Sequence, residues 1–145
     1  MNFKEFVEIV NNEKSEHPFW FEGECDTLAD DDQIAEVEKE LGAKLPDEYV
    51  EFVKKYGGGY FAFTNVFSVQ PDSEWCIVDR NKGVDLAENF IAISDDEAGG
   101  YYGFLIDSGV CGPEIYYWDH ESQQILKNHQ FCDLLAFIIE TGLNK

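Results

Sequence analysis

Basic residues are scarce in this chain: ten Lys and Arg stand against thirty Asp and Glu, a formal charge of −20 over 145 residues. There is no basic arm and no Lys/Arg-rich run. Residues 1–58 carry 16 acids and 6 bases, and residues 59–145 carry 14 and 4, so each part has a net charge of −10. Phosphate backbones and anionic lipid surfaces repel such a molecule, which argues against nucleic-acid and membrane partners. Closely spaced cysteines are also absent. Cys25, Cys76, Cys111 and Cys132 lie far apart, without the paired short spacing of structural zinc ligands. No apolar run reaches the length of a membrane span. The opening MNFKEFVEIVNNE is too polar for an export signal. The expected compartment is therefore the cytoplasm, and the expected cysteines are free thiols in the core.

Nucleophile motifs are missing too. His17, His120 and His129 have no Ser or Cys in a recognised catalytic pattern around them. Gly57-Gly58-Gly59 follows a helical segment instead of opening one, so its amides do not form a phosphate cradle. Asp95-Asp96-Glu97 lacks the alternating oxygen ligands and distant Glu of a calcium loop. No catalytic residue, metal site or cofactor is expected.

What the chain does contain is aromatic: 12 Phe, 7 Tyr and 3 Trp. Charge at this density is common in disordered chains, but those are poor in aromatics, so the chain is read as folded. Its length suits one domain. Phe3, Phe6, Val7 and Val10 recur at helical spacing, and an acidic loop comes next, with Phe19-Trp20-Phe21 pinning it to the core. Residues 1–30 are thus an N-terminal helix and acidic loop belonging to the same domain.

Asp30-Asp31-Asp32 opens a helix, because carboxylates there meet free amides and the positive end of the helix dipole. Ile34, Val37 and Leu41 mark its apolar face, and Gly42 stops it. Pro46 is placed at the first position of the next helix. Tyr49, Phe52, Val53 and Tyr56 line its inner face, and the three glycines end it. The pattern then turns to strands over residues 60–69, 75–79, 90–94, 101–107 and 114–119. Phe131, Leu134, Leu135 and Ile138 return to helical period. This order predicts an α+β domain with one mainly antiparallel sheet and helices packed on one side.

The segment IAEVEKELGAKLPDEYVEFVKKYGGG, residues 34–59, resembles the opening signature of the SUKH superfamily, which includes the Smi/Knr-type domains. The matching positions are Leu41, Gly42, Leu45, Pro46, Asp47, Tyr49, Gly57 and Gly58; Tyr56 departs from the Asn often found before the glycines. FIAISDDEAGGYYGFLID (90–107) is similar to the family's central hairpin. IYYWDHE (115–121) and FCDLLAFII (131–139) come after it in the family's order. The resemblance covers residues 31–140, and the SUKH-like body is set at 31–141. It implies an α+β fold and, as for most bacterial members, an immunity protein that neutralises a polymorphic toxin, often a nuclease, by stoichiometric binding. Fungal relatives imply the alternative, a regulatory or scaffold domain connected with cell-wall synthesis.

The expected partner is a cognate toxin with a basic surface. Asp30, Asp31, Asp32, Asp95, Asp96 and Glu97 are the candidates for steering it electrostatically. Tyr60, Tyr101, Tyr102 and Trp118 are the candidate anchors. Neighbours on a strand point to opposite faces, so Tyr101 and Tyr102, like Tyr116 and Tyr117, cannot all lie on the core side. Exposed ion pairs contribute only about 0–1 kcal/mol each, so carboxylates raise the association rate and rings must supply tightness.

Overall fold

In a computed structural model, residues 1–82 and 86–144 are described. Helix α1 (Phe3–Glu16) starts with a reciprocal cap: Asn2 Oδ1 accepts the Glu5 amide at 2.8 Å and Glu5 Oε1 accepts the Asn2 amide at 3.2 Å. Its buried face carries Phe6 and Val10. Phe6 packs edge-on to Phe52 and Tyr56, so residues 1–30 share one core with the rest of the chain.

Helix α2 (Asp31–Leu41) is capped by Asp30, whose Oδ1 accepts the Gln33 amide at 2.8 Å. It ends at Gly42 with φ 73°, the left-handed conformation that glycine adopts without cost. Helix α3 (Asp47–Tyr56) begins one residue later than expected, leaving Pro46 at the cap. Gly57, Gly58 and Gly59 have φ of 86°, 109° and 88°. At Gly57 the absence of a side chain is needed twice over, because a Cβ there would collide with the Asp26 carbonyl oxygen.

The expected strand over 60–69 is broken into β1 (Gly59–Phe61) and β2 (Thr64–Val66), an antiparallel pair turned at Ala62 with φ 52°. The expected strand over 75–79 is overturned. Trp75 and Cys76 lead into helix α4 (Ile77–Lys82). Ser73 starts that turn, its hydroxyl accepting the Trp75 amide at 2.9 Å and its carbonyl the Cys76 amide at 3.2 Å.

The main sheet is antiparallel, in the order β3 (Phe90–Asp95), β4 (Tyr101–Asp107), β6 (Tyr116–Asp119), β7 (Gln124–Ile125), with β5 (Val110–Cys111) paired to the end of β4. A bulge between Ala92 and Ser94 bends β3. One face takes Phe104 against Tyr49 of α3, and Tyr102 against Phe137 of α5 (Leu134–Ile138). Helix α5 is capped by Asp133 and continued by a wider turn at Ile139–Leu143.

The outer edge of β3 does not offer itself to another strand. The Asn81 amide accepts from the Ala92 N–H at 2.8 Å and donates to the Ala92 carbonyl at 3.0 Å. Asn65 does the same for Asp95, at 3.0 Å in both directions. Two side-chain amides thus stand where a neighbouring strand would pair.

The thiols divide. Cys76 and Cys111 are buried, but Cys25 and Cys132 are exposed, so a core role holds for two of the four. Burial, and next the Glu38 carboxylate, push the Cys111 thiol up to about 11.

Candidate functional site

Two turns and the C-terminal helix enclose a cleft of about 340 Å³. The first turn joins β1 to β2 and brings Tyr60, Ala62, Phe63, Thr64 and Asn65; the second joins β3 to β4 and brings Ser94, Asp95, Asp96 and Glu97; Tyr102, Phe137 and Thr141 complete the lining. Five of the ten candidate residues therefore meet here: Tyr60, Asp95, Asp96, Glu97 and Tyr102.

The second turn is built around its own carboxylates. Asp96 Oδ1 accepts the amides of Ala98 and Gly100, both at 2.8 Å, and its Oδ2 accepts the Tyr117 hydroxyl at 2.5 Å. Burial alone would raise the Asp96 carboxyl, yet the Tyr117 phenol and the turn amides outweigh it and hold the group below its ordinary value. The same contact holds the Tyr117 hydroxyl well above the usual range. Gly100 has no alternative: a Cβ there would collide with the Tyr117 oxygen. Asp95 Oδ1 accepts the Glu97 amide at 2.9 Å, and Oδ2 receives Arg80 Nη1 at 2.9 Å. Asp95 and Asp96 thus shape the turn. Glu97, at φ 62°, projects from it.

Glu97 reaches across the mouth, where its Oε1 accepts the Tyr60 hydroxyl at 3.3 Å. Tyr60 is 43% exposed and its ring rests on Trp75, centroids 4.9 Å apart. The Glu97 charge, its hydrogen bond, and lesser pushes from Asp95 and Glu74 hold the Tyr60 phenol above its ordinary value. The mouth thus carries the Glu97 carboxylate, with Asp95 in the same turn. Deeper in, burial and then Asp96 raise the Tyr102 phenol.

The remaining candidates lie elsewhere. Asp30, Asp31 and Asp32 line no part of the cleft. Asp30 caps α2, and Asp31 pairs with Lys54 at 2.7 Å while 83% exposed. Trp118 is 5% exposed and belongs to the core, so it offers no anchor surface. Tyr101 and Tyr102 do take opposite faces, but both faces are covered there: Tyr101 packs on Phe67 and Trp118, and Tyr102 on Phe137 and Phe131. Both are half-buried, as are Tyr116 and Tyr117.

Phe63 was not singled out from the sequence. It is 53% exposed, packs edge-on to Trp20 at 5.1 Å, and lines the cleft. Trp20 in turn stacks flat on His17 at 3.9 Å, while Phe19 is 79% exposed. An aromatic surface therefore runs from the 17–20 segment to the cleft. Nothing local announces it, since an Ala in the left-handed region at 62 has no sequence signature.

Chemically, the cleft offers charge and rings. No histidine lines it, and the Asp96 carboxyl favours its ionised form. Among the described residues, no three His, Cys, Asp or Glu are grouped to hold a metal ion. None of the described helices is long and apolar enough to cross a membrane.

No match was found among curated proteins. The SUKH_6 family model, described as SMI1-KNR4 cell-wall, matches residues 31–134, from the first residue of α2 to the first of α5. That span is most of the chain and contains the cleft's two turns, so the protein belongs to the SMI1-KNR4 family of the SUKH superfamily.

Proposed function

We propose that this protein is a cytoplasmic immunity protein that binds a cognate polymorphic toxin, with a nuclease domain as the target, and inhibits it stoichiometrically without catalysis. What supports the reading above all is the convergence of Tyr60 and Phe63 with Asp95, Asp96 and Glu97 around one cleft. Nuclease clefts are basic because their substrate is a polyanion, and a chain of net charge −20 is drawn to such a surface. Long-range attraction of this kind can bring association to about 10⁸–10⁹ M⁻¹s⁻¹ at low salt. Rings supply what exposed ion pairs do not. The exposed Phe19 and the Trp20–Phe63 pair extend the contact surface beyond the cleft.

A second reading comes from the cell-wall description of the matching family model. In that reading the same cleft serves a regulatory or scaffold domain with a resident protein partner. Co-expression with a toxin domain encoded beside the gene separates the two. The immunity reading predicts growth rescue together with a 1:1 complex on size-exclusion chromatography. Rescue without a complex contradicts it, and a stable complex with a resident protein in place of the toxin favours the scaffold.

A further inference from the structure

The turn Pro18–Phe21 holds its three rings in three different states. Phe21 goes inward against Phe61, with centroids 5.4 Å apart. Trp20, half-buried, stacks on His17 and meets Phe63 edge-on. Phe19 stands 79% exposed. Single exposed hydrophobic residues are ordinary on protein surfaces. Phe19 is not single. It adjoins the Trp20–Phe63 pair, and Gly23 brings the same segment against Tyr60, where an added Cβ would lie 3.0 Å from the Tyr60 Cβ. These rings form one ledge, and a contiguous apolar patch of this kind marks a contact surface.

The ledge is also held from both ends. The His17 N–H donates to the Glu13 carbonyl at 2.7 Å, and the Trp20 N–H to the His17 carbonyl at 3.1 Å. Beyond the turn, the Tyr60 N–H donates to the Glu24 carbonyl at 2.9 Å and the Asp26 N–H to the Gly58 carbonyl at 3.0 Å. Pro18 fixes a backbone angle where the turn begins. A ring held out on such a frame loses little freedom on binding, which suits it to be an anchor.

Charge decides what can meet it. Glu16, Glu22 and Glu24 flank the turn and are all exposed, and Glu97 bonds to Tyr60. Lys14 is the one Lys or Arg in residues 11–30, and its ammonium lies over Phe21 and Tyr56, 5.5 and 5.3 Å from the ring centres. A second copy of this chain would bring like charge to like charge, −20 on each. The family model matches residues 31–134, so residues 17–24 lie outside the matched span, whereas the cleft's two turns lie within it.

We infer that Phe19 is a knob that enters an apolar pocket rimmed by Lys or Arg on the protein partner. Trp20 and Phe63 form the floor of the contact around it. The ring fills the pocket, and the flanking glutamates face its basic rim. The inference rests on the partner-binding reading above. It adds a contact outside the cleft, and the shape and charge of what that contact meets.

The test uses the whole protein labelled with ¹⁵N and two synthetic hosts whose apolar cavity takes one phenyl ring. Hydroxypropyl-β-cyclodextrin has a neutral rim and amino-β-cyclodextrin a positively charged one. Saturable shifts are expected at the Phe19 and Trp20 amides, with Kd on the order of 1–10 mM for the neutral host. The amino host should bind about tenfold tighter at low salt, the scale of one or two exposed ion pairs. Phe19→Ala keeps the charge and should abolish both sets of shifts. In a second arm, Phe19→Ala should weaken the complex with the neighbouring toxin domain about ten- to hundredfold, the scale of burying one phenylalanine. Shifts that survive Phe19→Ala, shifts that map elsewhere, equal affinity for the two hosts, or no binding at tens of millimolar overturn the inference. A toxin complex indifferent to Phe19→Ala also overturns it, and leaves the immunity reading standing. Capping of Phe19 by the amino host without any toxin complex removes the immunity reading and leaves the knob in place.

Discussion

Two runs of three acids, Asp30-Asp31-Asp32 and Asp95-Asp96-Glu97, look alike in the sequence and end in opposite circumstances. The first is spent on a helix start. Asp30 holds the Gln33 amide, and Asp31 meets Lys54 in open solvent. The second folds around glycines, turns two carboxylates into the frame of a hairpin, and leaves the third at the mouth of an aromatic cleft. The residues just past each run decide between the two. A Gln three places on completes a capping box, whereas Gly99 and Gly100 permit the tight return that Asp96 ties together. Charge in the sequence locates negative potential; only the backbone decides whether it surrounds anything.

The largest expected effect that separates the runs is in the second. Asp96→Ala removes the acceptor of two turn amides and of the Tyr117 hydroxyl, and should cost about 3 kcal/mol. Urea unfolding checks this, with a lower midpoint and an unchanged slope. The same carboxyl gives an acid signature. Its folded-state pKa lies below the ordinary 3.8, so its contribution is present above that value and is lost as pH falls toward and through the folded pKa. Asp96→Asn should flatten the stability profile in that acid window, and an unchanged profile would count against the bonded geometry. In the first run, Asp30→Ala should cost about 1 kcal/mol, a cap's usual worth. Asp31→Asn is the smallest, at most about 0.5 kcal/mol, because its ion pair with Lys54 is exposed.

Much of the helical half is legible in the sequence, because its signals are local. Asp30 with Gln33, Gly42 and the triple glycine punctuate α2 and α3 within a few residues of where the structure places their ends. The segment Trp75-Cys76-Ile77-Val78 is not legible. An apolar run of four fits a strand as well as a buried helix start, and Ser73 tips the balance through bonds that composition does not display. The split at Ala62 is hidden for a related reason, since no glycine or asparagine marks its left-handed backbone. The cleft is half legible. Acids and aromatics near the hairpin can be named, but Phe63 and Thr64 arrive from a turn thirty residues earlier in the chain, and Trp118 faces inward because Tyr101 and its neighbours cover it.

The central claim is that the Glu97 cleft, and not acidity in general, engages the partner. The most direct measurement is the affinity of the neighbouring toxin domain for two variants of equal charge loss. Asp31→Asn with Asp32→Asn is compared with Glu97→Gln plus Asp95→Asn, each checked for folding by its near-ultraviolet spectrum. The cleft variant should lose at least about tenfold in affinity, mainly through faster dissociation, while the helix variant changes only its salt-dependent association rate. Equal losses in both, or a loss confined to the helix variant, would contradict the claim.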